Sequence, residues 1–456
     1  MASIPQSKPK SKVIPMDATW ESALNYLNER YVFVEQLAQV VRIPTIERPN
    51  LDIYSPAVFS GALESPLRVN KVPVARHWLN WPKRTTAYKL EYCPGQPRFY
   101  SNCLNTWMES PVKPIKGDCA LFLDYLDRVF ASDPTYRDWF LAWAAYPLQN
   151  PGAKLHTAVV FWSETTATGK STFGKIMSHI YGASNYAQLD ESTLHNPFNF
   201  WANGRQFIMG EEIRGASSEK HADRLKAMIT QQVVYVNIKN KAQFELRDCL
   251  NYYFTSNHPN AFYIDSNDRR FFVHNLGSQK YPADKFRDEF LPWLENGGYE
   301  AIRFYLENEI DLSKPIVGGD PTTLNPHRFN PGSAAPQSKA RSQMITANRD
   351  EAEEWVEELA INPIAALSET HRTLASAPEL YQFFLKSCPK TRVPYKTFCT
   401  RLRARIDAVY CDNKVTLSSG AQIKLYPLAP HVGNVGDVGK PPTMLTLVSQ
   451  YESERE

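Results

Sequence analysis

Apolar positions recur along this chain at different spacings, and the changes of spacing mark its organisation. The run from Thr157 to Trp162 is continuously apolar, whereas Phe173 to Tyr181 carries apolar residues at helical spacing. Between them lies a short polar, Gly-containing stretch, so this region predicts strand, loop and helix. Upstream, Phe122, Leu123, Leu126, Val129 and Phe130 predict a helix. Asp133-Pro134 then supplies N-cap and N1 of a second, with Trp139, Phe140 and Trp143 on its buried face and Pro147 at its end. Downstream, Arg205 to Ile213 predicts an apolar strand that ends in Glu211-Glu212. Val233 to Arg247 alternates on either side of Lys239-Asn240-Lys241, the pattern of a β-hairpin with a basic tip. Leu250 to Thr255 predicts a further strand ending at Ser256-Asn257, and Asp268-Arg269-Arg270 precedes another at Phe271 to Val273.

The flanking regions read differently. Residues 1–14, a Lys/Pro/Ser stretch, predict a disordered tail. Trp20 to Val41 is apolar-periodic and predicts a helix; residues 45–115 are rich in Pro, Tyr and Trp, with short strand-like pieces. Residues 15–115 are therefore expected to form a small α+β module. Its aromatics Trp78, Trp81, Tyr92, Tyr100 and Trp107 suit core packing, with base stacking as the alternative. Residues 116–150 form the helical part and 151–310 the α/β core. Proline punctuation over 311–345 predicts a linker. In 346–428, helices at 351–361, 376–386 and 395–406 precede two strand-like pieces around Ser418-Ser419-Gly420, a winged-helix order. Lys396, Arg401, Arg403 and Arg405 give its second main helix a basic face for duplex DNA, or else a merely solvated one. Residues 429–456 are expected to be a flexible tail.

Composition narrows the class. Hydrophobic residues at 43% and charged residues at 22% are ordinary for a globular chain of 456 residues, and the formal net charge of +3 requires any nucleic-acid surface to be a local patch. Cysteines at 93, 103, 119, 249, 388, 399 and 411 show no C-x-x-C spacing, which argues against a zinc site or a disulfide framework and fits a reducing cytoplasm. No apolar run is long enough to span a membrane, and the N-terminal stretch lacks a signal-peptide core.

The loop carries the chemistry. Backbone N–H groups of Thr166, Ala167, Thr168, Gly169, Lys170, Ser171 and Thr172, with the positive end of the following helix, suit nucleotide phosphates. Lys170 would reach the β and γ phosphates of ATP, and the Ser171 hydroxyl would bind Mg²⁺. One residue departs from the G-x-x-x-x-G-K-[ST] pattern: Glu164 stands where the first glycine belongs. A strand ending in two acids complements such a loop, Glu211 holding Mg²⁺ and Glu212 polarising water. Asn257 either senses the γ-phosphate or simply starts the turn before Pro259.

Taken in order, these residues resemble the superfamily 3 helicases, the AAA+ class of small DNA viruses and of phage and poxvirus primase-helicases. The likeness spans about 116–310. It places Lys170 and Ser171 on Walker A, Glu211 and Glu212 on Walker B, and Asn257 on the sensor position. Lys239, Asn240 and Lys241 fall on the DNA-gripping hairpin tip, and Arg269 or Arg270 on the arginine finger that reaches a neighbouring subunit's ATP. Asn102-Cys-Leu-Asn-Thr-Trp107 with Gly117-Asp118 resembles the segment preceding phage helicase domains. The resemblance implies a ring-forming, most simply hexameric, ATP-dependent helicase of the host-cell cytoplasm, moving 3′ to 5′ on single-stranded DNA and working with a separate primase or polymerase. An origin-binding initiator and a non-catalytic DNA-binding scaffold are the rival classes.

Overall fold

The computed structural model describes residues 19–64, 67–196, 198–213, 219–237, 243–316, 328–362, 366–367, 374–406, 414–428 and 444–455. The expected tail at 1–14 and the hairpin tip Lys239, Asn240 and Lys241 lie outside them. The chain divides into one unit up to Ile345 and another from Thr346.

The first unit is built on a parallel sheet of β1 (Ala158–Trp162), β2 (Tyr186–Leu189), β3 (Phe207–Gly210), β4 (Asn251–Ser256) and β5 (Phe271–Asn275), in spatial order β2-β3-β4-β1-β5. All its pairings are parallel, and the central strands β1, β3 and β4 are buried throughout, as a sheet covered on both faces requires. Val159, Phe161, Met209, Tyr253 and Phe272 face one way, into a cluster with residues of α1 (Ala120–Val129), α2 (Arg137–Gln149) and α3 (Lys170–Tyr181). Ala158, Val160, Ile208, Tyr252 and Phe254 face the other way. The hairpin Val233–Val236 with Phe244–Arg247 pairs antiparallel, as its alternation predicts.

Two expectations for this unit are corrected locally. The helix at Trp20 stops at Asn28, and Tyr31–Val34 pairs antiparallel with Gln39–Arg42 across a turn that includes Ala38 at φ +50°. β-Branched Val32, Val34, Val40 and Val41 favour extended backbone and are fully buried in it. In α2, Pro147 lies inside the helix rather than ending it. It removes one N–H, but the helix continues to Gln149, whose amide donates to Leu306 O and Ile310 O at 2.8 Å each.

The N-terminal module is not sealed off from the sheet, although Leu27, Tyr31, Val40, Phe59, Val74 and Trp78 form a core of its own. Val32, Val34, Val41, Ala87, Leu90 and Leu104 join the same buried cluster as Val160, Ile208 and Phe254 of the parallel sheet. Trp78 and Tyr92 are buried, while Tyr100 is exposed. Nor is 311–345 simply a linker where it is described. Phe329 and Ala335 enter the helical cluster, and Met344 of α4 (Lys339–Ala347) is fully buried in the other.

In the second unit, α5 (Glu351–Ile361), α6 (Ala377–Ser387) and α7 (Tyr395–Arg405) pack around Trp355, Phe384, Phe398 and Leu402. Leu374–Ser376 pairs antiparallel with Leu425–Pro427, and Val415–Thr416 with Gln422–Ile423. The expected tail is corrected here too: Met444–Ser453 forms α8, and Leu447 and Tyr451, one helical turn apart, pack against Leu374, Val415 and Leu425. Glu379 locks this arrangement. Its carboxylate accepts from the Ser376 N–H at 2.9 Å, the Tyr451 hydroxyl at 2.7 Å and Arg455 Nε at 2.6 Å. Burial alone would raise its pKa, but Arg455, Ser376 and Tyr451 outweigh burial and bring it down to about 2. A depressed carboxylate stabilises the fold above its unfolded-state pKa and loses that contribution as pH falls towards its folded value. Glu379→Gln should therefore lower the melting temperature of this unit, followed in the intact chain at pH 7. The gap from the unsubstituted protein should close between about pH 4.5 and pH 2, the range spanned by the two pKa values. A gap constant across that range would contradict the assignment.

Candidate functional site

The carboxyl ends of adjacent parallel strands bring the sequence-predicted residues to one edge of the sheet. β1 ends at Trp162 and passes through residues 163–169 into α3, whose N-cap is Gly169. Positive φ falls on Ala167 (+61°) and Gly169 (+99°), not on Glu164, which is exposed. The missing first glycine therefore costs no backbone strain, because the loop turns elsewhere. At Gly169 the constraint is also steric: a Cβ there would stand 3.0 Å from Tyr125 Cε2. The Tyr125 hydroxyl donates to Gly169 O at 2.9 Å, and the Tyr253 hydroxyl of β4 donates to Lys170 O at 2.6 Å.

Lys170 is 8% exposed, and its Nζ lies 2.9 Å from both Ser163 O and Thr165 O. Burial lowers its pKa, opposed by the charge of Glu212. The ammonium is thus folded onto its own loop, within the field of one of the two acids. The buried Thr168 Oγ1 has no hydrogen-bond partner, and the neighbouring Ser171 hydroxyl is partly accessible.

β3 delivers the acids. Glu211 Oε2 accepts from Gln188 Nε2 of β2 at 2.6 Å. Glu212 adopts φ +53°, a left-handed conformation that costs a non-glycine residue roughly 1 kcal/mol or more, and its side chain is exposed. Its N–H donates to Thr255 Oγ1 at 3.4 Å, and its Oε1 lies 3.5 Å from Asn257 Nδ2. Ser256 holds the strand tips together: its hydroxyl donates to Ile213 O at 2.8 Å, and its carbonyl accepts from the Ser163 N–H at 3.3 Å. Both acids border a cleft of about 610 Å³ shared with Gln188, Asp190 and Thr193. Carboxylate and hydroxyl oxygens at this edge are of the type a hard divalent cation takes, although among the described residues no three His, Cys, Asp or Glu side chains converge as a metal-binding group.

Other predicted residues are placed elsewhere. Arg269 and Arg270 precede β5 at the amino end of the sheet, where the Ala158 N–H donates to Arg270 O at 2.8 Å, so they stand across the sheet from the edge that carries residues 163–169. Arg270 is held by Asp268, through its N–H at 2.8 Å and its Nη1 at 3.4 Å, whereas Arg269 is exposed. On α7, Lys396, Arg403 and Arg405 are exposed, and Arg405 lies 3.9 Å from Glu357. Arg401 is instead turned to Asp350, the N-cap of α5, at 3.0 Å.

Several supporting residues were not singled out from sequence. Gln188, Tyr125 and Tyr253 had no motif to mark them. Lys154 and Asp248 form an ion pair at 2.9 Å beneath the hairpin, with side chains 9% and 0% exposed. Lys154 Nζ also donates to Met228 O and Leu250 O, and Asp248 accepts from the Leu250 N–H and Gln231 Nε2. A lysine just before an apolar strand and an aspartate just before another were the available signal.

Comparison with known proteins gives a consistent class of relative. Residues 161–270 match a family model described as a "family of unknown function (DUF5906)". Over 233 residues the chain is 24% identical to the "DNA Primase-polymerase" of Nitratiruptor phage NrS-1, a match covering 49% of this chain and 32% of that protein. The chain thus spans about a third of the length of that curated relative. Among solved structures, an apo form of the NrS-1 C-terminal region (305–718) superposes with a TM-score of 0.58 at 16% identity, covering 88% of this chain and 96% of that one. A second apo form, the A form, gives a TM-score of 0.57 at 14% identity with the same coverage. The chain shares with that region a mixed α/β fold, and its own sheet is parallel. No helix among the described residues is long and apolar enough to cross a membrane.

Proposed function

We propose that this chain is an ATP-dependent motor of phage DNA replication, a P-loop ATPase of the superfamily 3 helicase type that assembles as a ring in the host cytoplasm and translocates on single-stranded DNA. The observation that carries the reading is the strand order. With the phosphate-loop strand central, β3 and its two acids lie on the far side of β4, and β4 presents Asn257 between loop and acids. This is the arrangement a P-loop ATPase uses to surround the γ-phosphate. The relation to a phage primase-polymerase supports the replication setting.

In this reading the 166–172 backbone and the N-terminus of α3 bind the ATP phosphates, and Lys170 leaves the Ser163 and Thr165 carbonyls to meet them. Ser171 and Glu211 would hold Mg²⁺, and the ion, when bound, would supply the charge that neutralises developing phosphate charge. Glu211 shares a sheet face with Met209, which packs against Gly174 of α3, so it is directed to the loop's helix side. Glu212, beside Asn257, orients the water. Arg269, exposed and across the sheet from its own loop, acts on a neighbour's ATP; Arg270 keeps its structural pairing. Lys239, Asn240 and Lys241 grip one DNA strand, and the second unit is a winged helix that presents Lys396, Arg403 and Arg405 to duplex DNA, with Arg401 as an internal strut.

The test is strand separation on tailed duplexes with ATP and Mg²⁺. The unsubstituted chain should unwind, and Glu212→Gln should bind ATP but neither hydrolyse it appreciably nor unwind. DNA-stimulated hydrolysis without unwinding would shift the reading to an origin-binding initiator, which the exposed basic helix also suits.

A further inference from the structure

The loop that carries Arg269 is held by a residue far along the chain. Arg341, on α4, is 4% exposed, and its Nη2 reaches three carbonyl oxygens of that loop: Asp265 O at 3.0 Å, Ser266 O at 3.1 Å and Asp268 O. Around it the same segment makes further clamps. The Ala335 N–H donates to Arg269 O at 2.7 Å, the Ser338 hydroxyl donates to Val273 O, and the Arg341 N–H donates to Ser338 Oγ at 3.1 Å. From the other side Lys226 pairs with Asp265 and, at 3.9 Å, with the buried Asp268.

A buried guanidinium is retained only where its donors are well used, because desolvating it is costly. Here Nη2 is spent on three carbonyls just before Arg269, while the buried Nε has no hydrogen-bond partner, so the guanidinium is kept for the hold that Nη2 gives on the chain entering β5. Its side-chain hydrogen bonds go to backbone carbonyls, within the field of the buried Asp268 carboxylate, so its role is to hold backbone. We propose that Arg341 is the positioning residue of the Arg269 finger, setting the backbone geometry from which Arg269 reaches the neighbouring subunit's nucleotide. The proposal rests on the ATPase reading above and adds the residue on which action between subunits depends.

The experiment is a double-mutant cycle on the full chain, with ATP turnover and ATP affinity measured separately. Arg269→Ala and Arg341→Met should each lower kcat, the latter by on the order of 10²-fold, as small misplacements of catalytic groups do, with ATP affinity unchanged. Arg341→Met in the Arg269→Ala background should lower kcat no further. An additive loss would overturn the proposal, because a residue that merely supports the fold would harm both backgrounds alike. If Arg341→Met does not fold, Lys226→Met loosens the same loop and should give the same non-additive result; additivity there overturns the proposal equally. Normal turnover in Arg269→Ala, with Lys170→Ala inactive, would sink the finger assignment and this proposal while leaving the ATPase reading intact. A lack of hydrolysis by the unsubstituted chain would overturn both.

Discussion

Lys170→Ala is expected to lower ATP turnover by on the order of 10²- to 10³-fold or more, the scale of losing one preorganised charge contact in a transition state. The side chain is buried, so the substitution also has a structural cost. Two loop carbonyls, Ser163 O and Thr165 O, lose their partner, which costs about 1–3 kcal/mol if water cannot replace it. The Ser163 hydroxyl lies 3.1 Å from Thr165 O, but its one proton has a nearer acceptor in Gly277 O at 2.6 Å, so it offsets little of that loss. Lys170→Met separates the two effects: it keeps the apolar stem and should be equally inactive while losing less stability. Steady-state ATPase beside a urea melt decides the matter. Substantial turnover in both variants would remove the phosphate-loop assignment.

The largest effect on stability should come from Lys154→Met. Asp248 is wholly buried, and without its ammonium partner an uncompensated charge remains inside the protein, which typically costs about 3–5 kcal/mol. Burial lowers the pKa of Lys154, and Asp248 opposes that shift. The damage should centre on the base of the hairpin and the entry to β4, because Lys154 also holds Met228 O and Leu250 O. Lys154→Met combined with Asp248→Asn should recover much of the loss, since the amide is neutral and its oxygen can still accept from the Leu250 N–H. The urea midpoint of the full chain measures this, and no recovery in the double variant would mean that packing of the lysine stem dominates.

What could be read in the sequence was whatever is local in the chain. Strand, loop and helix at 158–181, the acids after β3 and the Ser256-Asn257 tip follow from short-range spacing and turn chemistry. The hairpin arms did too, because alternation over a few residues is enough. Contacts made over long separations were not legible. Proline spacing at 311–345 resembles a linker, yet Phe329 and Met344 are buried by elements distant in sequence. Leu447 and Tyr451 lie beyond a Gly/Pro-rich stretch that suggested a tail, and only the fold supplies the surface they cover. Arg401 looked like its basic neighbours on α7, and only the nearness of Asp350 sets it apart. Glu164 stood out as a break in a motif, whereas the turn is made at Ala167 and Gly169.

The late arrival of Arg341 also has a consequence for biosynthesis. The carbonyls of Asp265, Ser266 and Asp268 leave the ribosome more than seventy residues before the guanidinium that satisfies them, as the separations of 76, 75 and 73 positions record. Met344, which helps cover one face of the sheet, emerges later still. Until then a nascent chain with all five strands exposes apolar surface at that face and an unsecured edge at β5. Non-local closure of this kind slows folding and leaves partly built intermediates open to association. Chaperone demand should therefore peak while residues 276–345 are being synthesised, and nascent chains stalled in that window should aggregate more readily than chains released past 345.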